Sequence, residues 1–303
     1  MKKHIRSFIL PIALLCGFLF HKYCGALYFI VPGLVFTMLF LNYTAIDVKK
    51  MHVSGLDGWL LTLQMAMSVG FYWLMLKCGL NEIMAQGVLI GILTPVAAAV
   101  VVISCALGAN RETVTTYTIL DNLAVSIMAP IIFSFIGQHQ DMPFLQSFWH
   151  VFWRIAPQIV LPFIVALVLQ KFAPKVNAFF CKYKGLSLYV WAFTLTLVLG
   201  KTFHDILTNP DTDWGMLAWM CLISAILCAI LFGLGKWIGH HYGDTVAGGQ
   251  LFGQKNTSFG IWMTIEYLNP MAAVFPAIYS VWQNIFNSYQ MFMYDRKHAS
   301  KND

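Results

Sequence analysis

The chain is 303 residues long, 59% hydrophobic and only 11% charged, with a formal net charge of +6. So little charge excludes a dispersed soluble domain, and the length leaves room for roughly ten helical spans of about 20 residues each. The seven cysteines show no metal-ligand or redox spacing, so they read as small buried hydrophobes, and neither a metal nor a cofactor is expected.

In chain order, apolar segments predict spans near 7–21, 26–44, 57–76, 83–106 and 113–136, then 147–170, 187–203, 215–237, 245–268 and 271–293. The opening MKKHIR followed by SFILPIALLCGFLF is shaped like a signal peptide. It lacks a small-residue cleavage site and leads into further spans, so it reads as the first helix. Positive charge sets the orientation. With a cytoplasmic N-terminus, fourteen Lys and Arg residues, from Lys2, Lys3 and Arg6 to Lys301, fall on the cytoplasmic side, and only Lys22, Lys77 and Lys201 fall opposite. That bias predicts an even number of spans, both termini in the cytoplasm and a short tail over 295–303. It also accounts for the net charge without a nucleic-acid partner. Arg154, beside Trp149 and Trp153, reads as a snorkelling residue at the membrane interface.

The ninth span carries the densest polar stretch. Within GQLFGQKNTSFG, Gly249–Gly260, stand Gln250, Gln254, Lys255, Asn256, Thr257 and Ser258, with apolar sequence on either side. A lipid-facing helix does not tolerate such groups, because nothing in the bilayer can bind them. The stretch therefore predicts a helix interrupted in mid-membrane near Gly253 and Asn256, lining a protein cavity, as in many secondary transporters.

An internal repeat extends the reading. Gly87–Gly91 (GVLIG) lies 162 positions before Gly249–Gly253 (GQLFG), and the same shift lays Tyr117, Asn122 and Ser126 over Tyr279, Asn284 and Ser288. Five spans per repeat make the second half run through the membrane inverted, dividing the chain into a first repeat over 1–137 and a second over 147–294. The shift also brings Thr94-Pro95 over Asn256-Thr257. Proline removes a backbone hydrogen bond, so Pro95 predicts either a plain kink or a second break. The small VAAAVVV stretch that follows suits close crossing of two segments.

GQKNTSFG and PAIYSVWQNIFNSYQ, with the TPVAAAV break and the ALGAN turn, resemble the bile acid:sodium symporter family and its bacterial relatives. The resemblance implies a multi-pass carrier of a bacterial inner membrane. It would have a core of crossed helices, a panel of spans one, two, six and seven, and organic anions bound between them. It also implies Asn256, Thr257, Gln283 and Asn284 as substrate or crossing contacts. Asn284 and Asn122 equally suit plain helix-to-helix hydrogen bonding. The family's sodium ligands are replaced: Leu251 stands for a glutamate, Val100 and Val101 for a Ser-Asn pair, and Val114 for a hydroxyl. Thr118 and Gln64 are kept, and Lys255 takes a glutamine's place. Leu and Val offer sodium no oxygen. The expectation is a carrier without the sodium sites, with Lys255 as a built-in cation. Asp121, the one acid deep in a predicted span, is either its static partner or a proton-coupling group.

The arsenite-efflux and auxin-efflux carriers share the general plan, but the arsenite carriers need a cysteine near the span-four break, and TPVAAAV has none. A polytopic membrane enzyme or sensor is the alternative class. It lacks an HExxH, a GxSxG, paired acids or an appended signalling domain, so no enzymatic activity is expected. Substrate, direction of transport and oligomeric state are left open.

Overall fold

The computed structural model describes residues 2–46, 50–97, 100–138, 142–210 and 212–299. Ala98 and Ala99 of the VAAAVVV stretch, Lys49 and the end of the tail lie outside the described residues. The described chain is all-helical. Its helices are α1 Lys2–Leu19, α2 His21–Leu27, α3 Val31–Tyr43, α4 Gly55–Lys77, α5 Glu82–Leu93, α6 Val100–Ala106 and α7 Arg111–Ile136. They continue as α8 Phe144–Phe172, α9 Pro174–Lys182, α10 Ser187–Thr208, α11 Trp214–His241, α12 Thr245–Gly253, α13 Thr257–Tyr267 and α14 Val274–Ala299.

Among the described residues, six helical stretches are long and apolar enough to cross a membrane: 21–43, 55–77, 111–136, 144–172, 184–208 and 214–241. This is a multi-pass membrane protein. The other four predicted segments fall on helices that depart from a continuous apolar span for visible reasons. Segment one is α1, which opens on Lys2, Lys3 and Arg6. Segments four and nine are each cut in two, as α5 with α6 and α12 with α13. Segment ten is α14, diluted by Gln283, Asn284, Asn287 and Gln290. One helix had no sequence-based counterpart. The lysine-rich stretch between segments six and seven forms α9, seated on α3 through Phe180 against Phe40 and through Asn177 Nδ2 donating to Thr44 O (3.1 Å).

Helix starts follow local chemistry. Ser54 and Asp57 form a capping box at α4. Asn81 accepts from Ile83 N (2.8 Å), and Asn110 accepts from Glu112 N (2.8 Å). Asp213 accepts from Met216 N (3.0 Å). Each cap satisfies an amide that has no helical partner, a contribution of about 0.5–2 kcal/mol. Asp244 serves two helices: Oδ1 accepts from Ala247 N at the start of α12, and Oδ2 accepts from Asn110 N at the start of α7, both at 2.8 Å.

The helices pack in two groups. Around α10 lie α1, α2 and α3, with α8 against α3; around α12 and α14 lie α4, α5, α7, α11 and α13. The groups meet chiefly where α7 packs along α8 and where α10 reaches α13. Within the second group, α11 and α12 touch backbone to backbone. A Cβ added at Gly248 would stand 2.3 Å from Gly235 O and 2.6 Å from Gly239 Cα, so only glycine fits there.

Candidate functional site

The two interruptions meet. Between α5 and α6 the chain runs extended through Thr94, Pro95 and Val96; between α12 and α13 it runs through Gln254, Lys255 and Asn256. They pair as an isolated antiparallel bridge at Val96 and Lys255. Asn256 N donates to Pro95 O (2.7 Å) and Ala97 N donates to Gln254 O (2.9 Å). Each break thus supplies hydrogen-bond partners that its own helix has lost, which is what makes irregular backbone tolerable inside a membrane protein. Pro95, read from sequence as either a kink or a break, lies in the extended stretch, where it has no N–H to lose and its carbonyl accepts from Asn256 N. Gly253, the last residue of α12, lies against the Phe232 ring, where an added Cβ would stand 2.4 Å from it.

Side chains on neighbouring helices hold each break. Asp121 on α7, fully buried, accepts from Val96 N through Oδ2 (2.6 Å). Gln283 on α14 holds the other break at both ends: Oε1 accepts from Lys255 N (2.8 Å) and Nε2 donates to Lys255 O (3.1 Å). Tyr279 OH donates to Gly253 O (2.7 Å). Gln283 therefore spends its amide on backbone.

Lys255 is 1% exposed. Its Nζ donates to Gln64 Oε1 on α4 (2.9 Å) and lies 5.5 Å from the centre of the Phe252 ring. Gln64, fully buried, uses its whole amide. Oε1 also accepts from Tyr117 OH (3.2 Å), and Nε2 donates to Asp121 Oδ1 (2.9 Å) and to Leu93 O (3.1 Å). The ammonium and the carboxylate are thus joined through an amide rather than by direct contact. A buried cation and anion in one hydrogen-bonded chain cancel in net charge, which is the condition under which burial of both is tolerable.

The remaining predicted residues divide. Asn256 caps α13 weakly, Oδ1 accepting from Phe259 N at 3.4 Å. Its Nδ2, with Thr257 Oγ1 and Ser258 Oγ, is buried without a hydrogen-bond partner. The three residues are 3%, 2% and 0% exposed, so three buried polar atoms at the N-terminus of α13 lack a hydrogen-bond partner. Thr118 Oγ1 donates to Val114 O (2.7 Å) and Asn284 Nδ2 to Ser280 O (2.6 Å), each within its own helix. Leu251, Val100 and Val114 are fully buried, surrounded by apolar packing.

Two features escaped sequence reasoning. Tyr117 is a member of the Gln64 cluster, although only its place in the repeat marked it. Gln250 donates to Asn287 Oδ1 (3.0 Å), a buried amide pair between α12 and α14; the polar density around Gln250 was the only available signal. Comparison with models of protein families and with curated proteins finds no match to this chain.

Proposed function

We propose that this protein is a secondary transporter of a small organic anion, working by alternating access and independent of sodium. The carrying observation is the junction of the two interruptions. Asn256, Thr257 and Ser258 present unpartnered buried polar atoms at the positive end of a helix of eleven residues, directly after a buried lysine. Such a helix end favours anions, and donors with no internal partner are available to one.

The wider reading is a ten-span, doubly repeated carrier with both termini in the cytoplasm. Its support is that equivalent positions do equivalent work. Asp121 and Gln283, 162 positions apart, each hold a broken backbone, at Val96 and Lys255. Asn122 and Asn284, at the same spacing, each bond the carbonyl four residues back at 2.6 Å. The group around α10 would be the panel, and the group holding the interruptions the core. With Leu251, Val100 and Val114 in place of oxygen ligands, sodium has no site of the kind found in the resembled family.

The test is a binding screen of carboxylates and sulfonates by thermal shift, followed by flux in proteoliposomes. Anions should bind in preference to neutral or cationic analogues, Asn256→Ala should weaken binding with the fold intact, and an imposed sodium gradient should leave flux unchanged. Preference for cations, or flux that requires sodium and survives Lys255→Gln, overturns the reading. Cysteine labelling checks orientation: a cysteine at position 178 on α9 should react only from the cytoplasmic side, and one at 141, which lies outside the described residues, should be open from outside.

A further inference from the structure

Anion binding does not by itself explain why a lysine and an aspartate are buried together at the junction, and a coupling role for the pair rests on the transport reading. With both groups ionised their charges sum to zero. An anion arriving at Asn256, Thr257 and Ser258, the residues next to Lys255, would leave one uncompensated negative charge where no water screens it. A second positive charge has to enter with the anion, and the geometry identifies where it goes.

Asp121 is held entirely by donors. Oδ2 accepts from Val96 N and Oδ1 from Gln64 Nε2. A carboxylate accepts at both oxygens, whereas a protonated carboxyl must donate from one of them. A proton that takes the lone pair facing Val96 N or Gln64 Nε2 sets a donor against a donor and displaces that bond. Loss of the first frees the interruption at Val96. Loss of the second lets the Gln64 amide turn over, so that Oε1 accepts from the new O–H and Nε2 faces Lys255. The ammonium is then released from Gln64, and its charge, no longer cancelled by Asp121, is available to the anion.

We propose that Asp121 is the proton site of this carrier, taking up one proton for each monovalent anion bound beside Lys255. The proton comes from the aqueous phase and adds to a carboxylate oxygen; no covalent bond breaks, and Lys255 keeps its ammonium throughout. Other titratable groups around the pair are phenols, Tyr43 of α3, Tyr117 of α7 and Tyr279 of α14, and the thiol of Cys228 against Tyr279. Phenols and thiols are ordinarily uncharged at neutral pH. A further acid that acts on Tyr117, Asp57, belongs to the α4 cap, where Ser54 N and Oγ bind its Oδ2 at 2.7 and 2.9 Å. Movement of a monovalent anion with one proton is electroneutral, so a pH gradient drives it and the membrane potential does not.

The experiment titrates purified protein with pyruvate, lactate and taurocholate, three sizes of monovalent anion, by thermal shift at pH 6, 7 and 8. Whichever binds is then followed in proteoliposomes with the potential clamped. In the wild type, apparent affinity should weaken about tenfold per pH unit while Asp121 is ionised in the free protein, as one-for-one linkage requires. Asp121→Asn should bind the anion with little pH dependence and exchange it across the bilayer, without accumulating it on a pH gradient. Lys255→Gln should bind poorly at every pH. Anion binding by the wild type that ignores pH, or pH-driven accumulation that survives in Asp121→Asn, overturns the proton site and leaves the transport reading standing. Absence of binding by all three anions, with a cation or neutral compound bound instead, overturns both. The wild-type titration decides the matter even where a variant fails to fold.

Discussion

The two helix interruptions are anchored by different chemistry. At the first, Val96 N is held by a carboxylate whose second oxygen is linked to Lys255 through the Gln64 amide. At the second, Lys255 N and O are both held by the amide of Gln283. An amide has no proton to gain near neutral pH, so the second anchor is fixed under every condition the cell offers. The carboxylate changes its hydrogen-bonding character with one proton. On the proposed proton coupling, two similar breaks carry unequal duties, the first switchable and the second not.

The largest effect should come from removing the charged anchor. Asp121→Leu leaves Lys255 without its counter-ion and strands Val96 N and one N–H of Gln64 Nε2, which should cost about 3–5 kcal/mol. The measurement is the unfolding midpoint in detergent. Asp121→Leu with Lys255→Met should recover much of the loss; if the two losses simply add, the groups do not act as a pair.

Removing the neutral anchor should cost less. Gln283→Leu strands Lys255 N, whereas Lys255 O still accepts from Thr257 N (3.0 Å), so the cost should be about 1–3 kcal/mol for one buried group left unmade. Unlike Asp121→Asn, it should leave any pH dependence of anion binding in place, which is the sharpest way to separate the two anchors.

Comparable in size is the effect of crowding the end of α12. Gly253→Val drives its side chain into Phe232, an overpacking cost of about 1–3 kcal/mol. Phe232→Ala should relieve part of it in the double variant, read by the same midpoint. Least of all, Asn122→Ala and Asn284→Ala each delete a bond within one helix and should shift stability by about 1 kcal/mol or less. A larger effect at either would mean that it contacts something beyond its own turn.

Both interruptions were legible in the sequence because each advertises its chemistry locally: a proline with small neighbours at Pro95, six polar residues among apolar ones around Lys255. The pairing of Asp121 with Val96 was not legible. It depends on an amide N–H, a group every residue but proline carries, so no side chain signals it. Gln64 could be singled out, but not its place between Lys255 and Asp121, which requires α4, α7 and the second break to converge. Gln283 looked available to a ligand because an amide reads the same whether it faces a cavity or a backbone. α9 was missed for a different reason: nine residues carrying two lysines read as a loop until an adjoining helix offers the apolar side something to rest on.

The glycine contact between α11 and α12 has a mechanical consequence. With backbone against backbone at Gly235, Gly239 and Gly248, no rotamer can yield, so α12 cannot slide without taking α11 with it. α11 is long and carries exposed Trp214 near one end and Trp237 near the other, residues that seat at the two faces of a bilayer. A membrane that thickens or thins moves those faces, and α11 must tilt to follow. A tilt of α11 would therefore be carried through the glycine contact into α12 and the residues that lead into the second interruption.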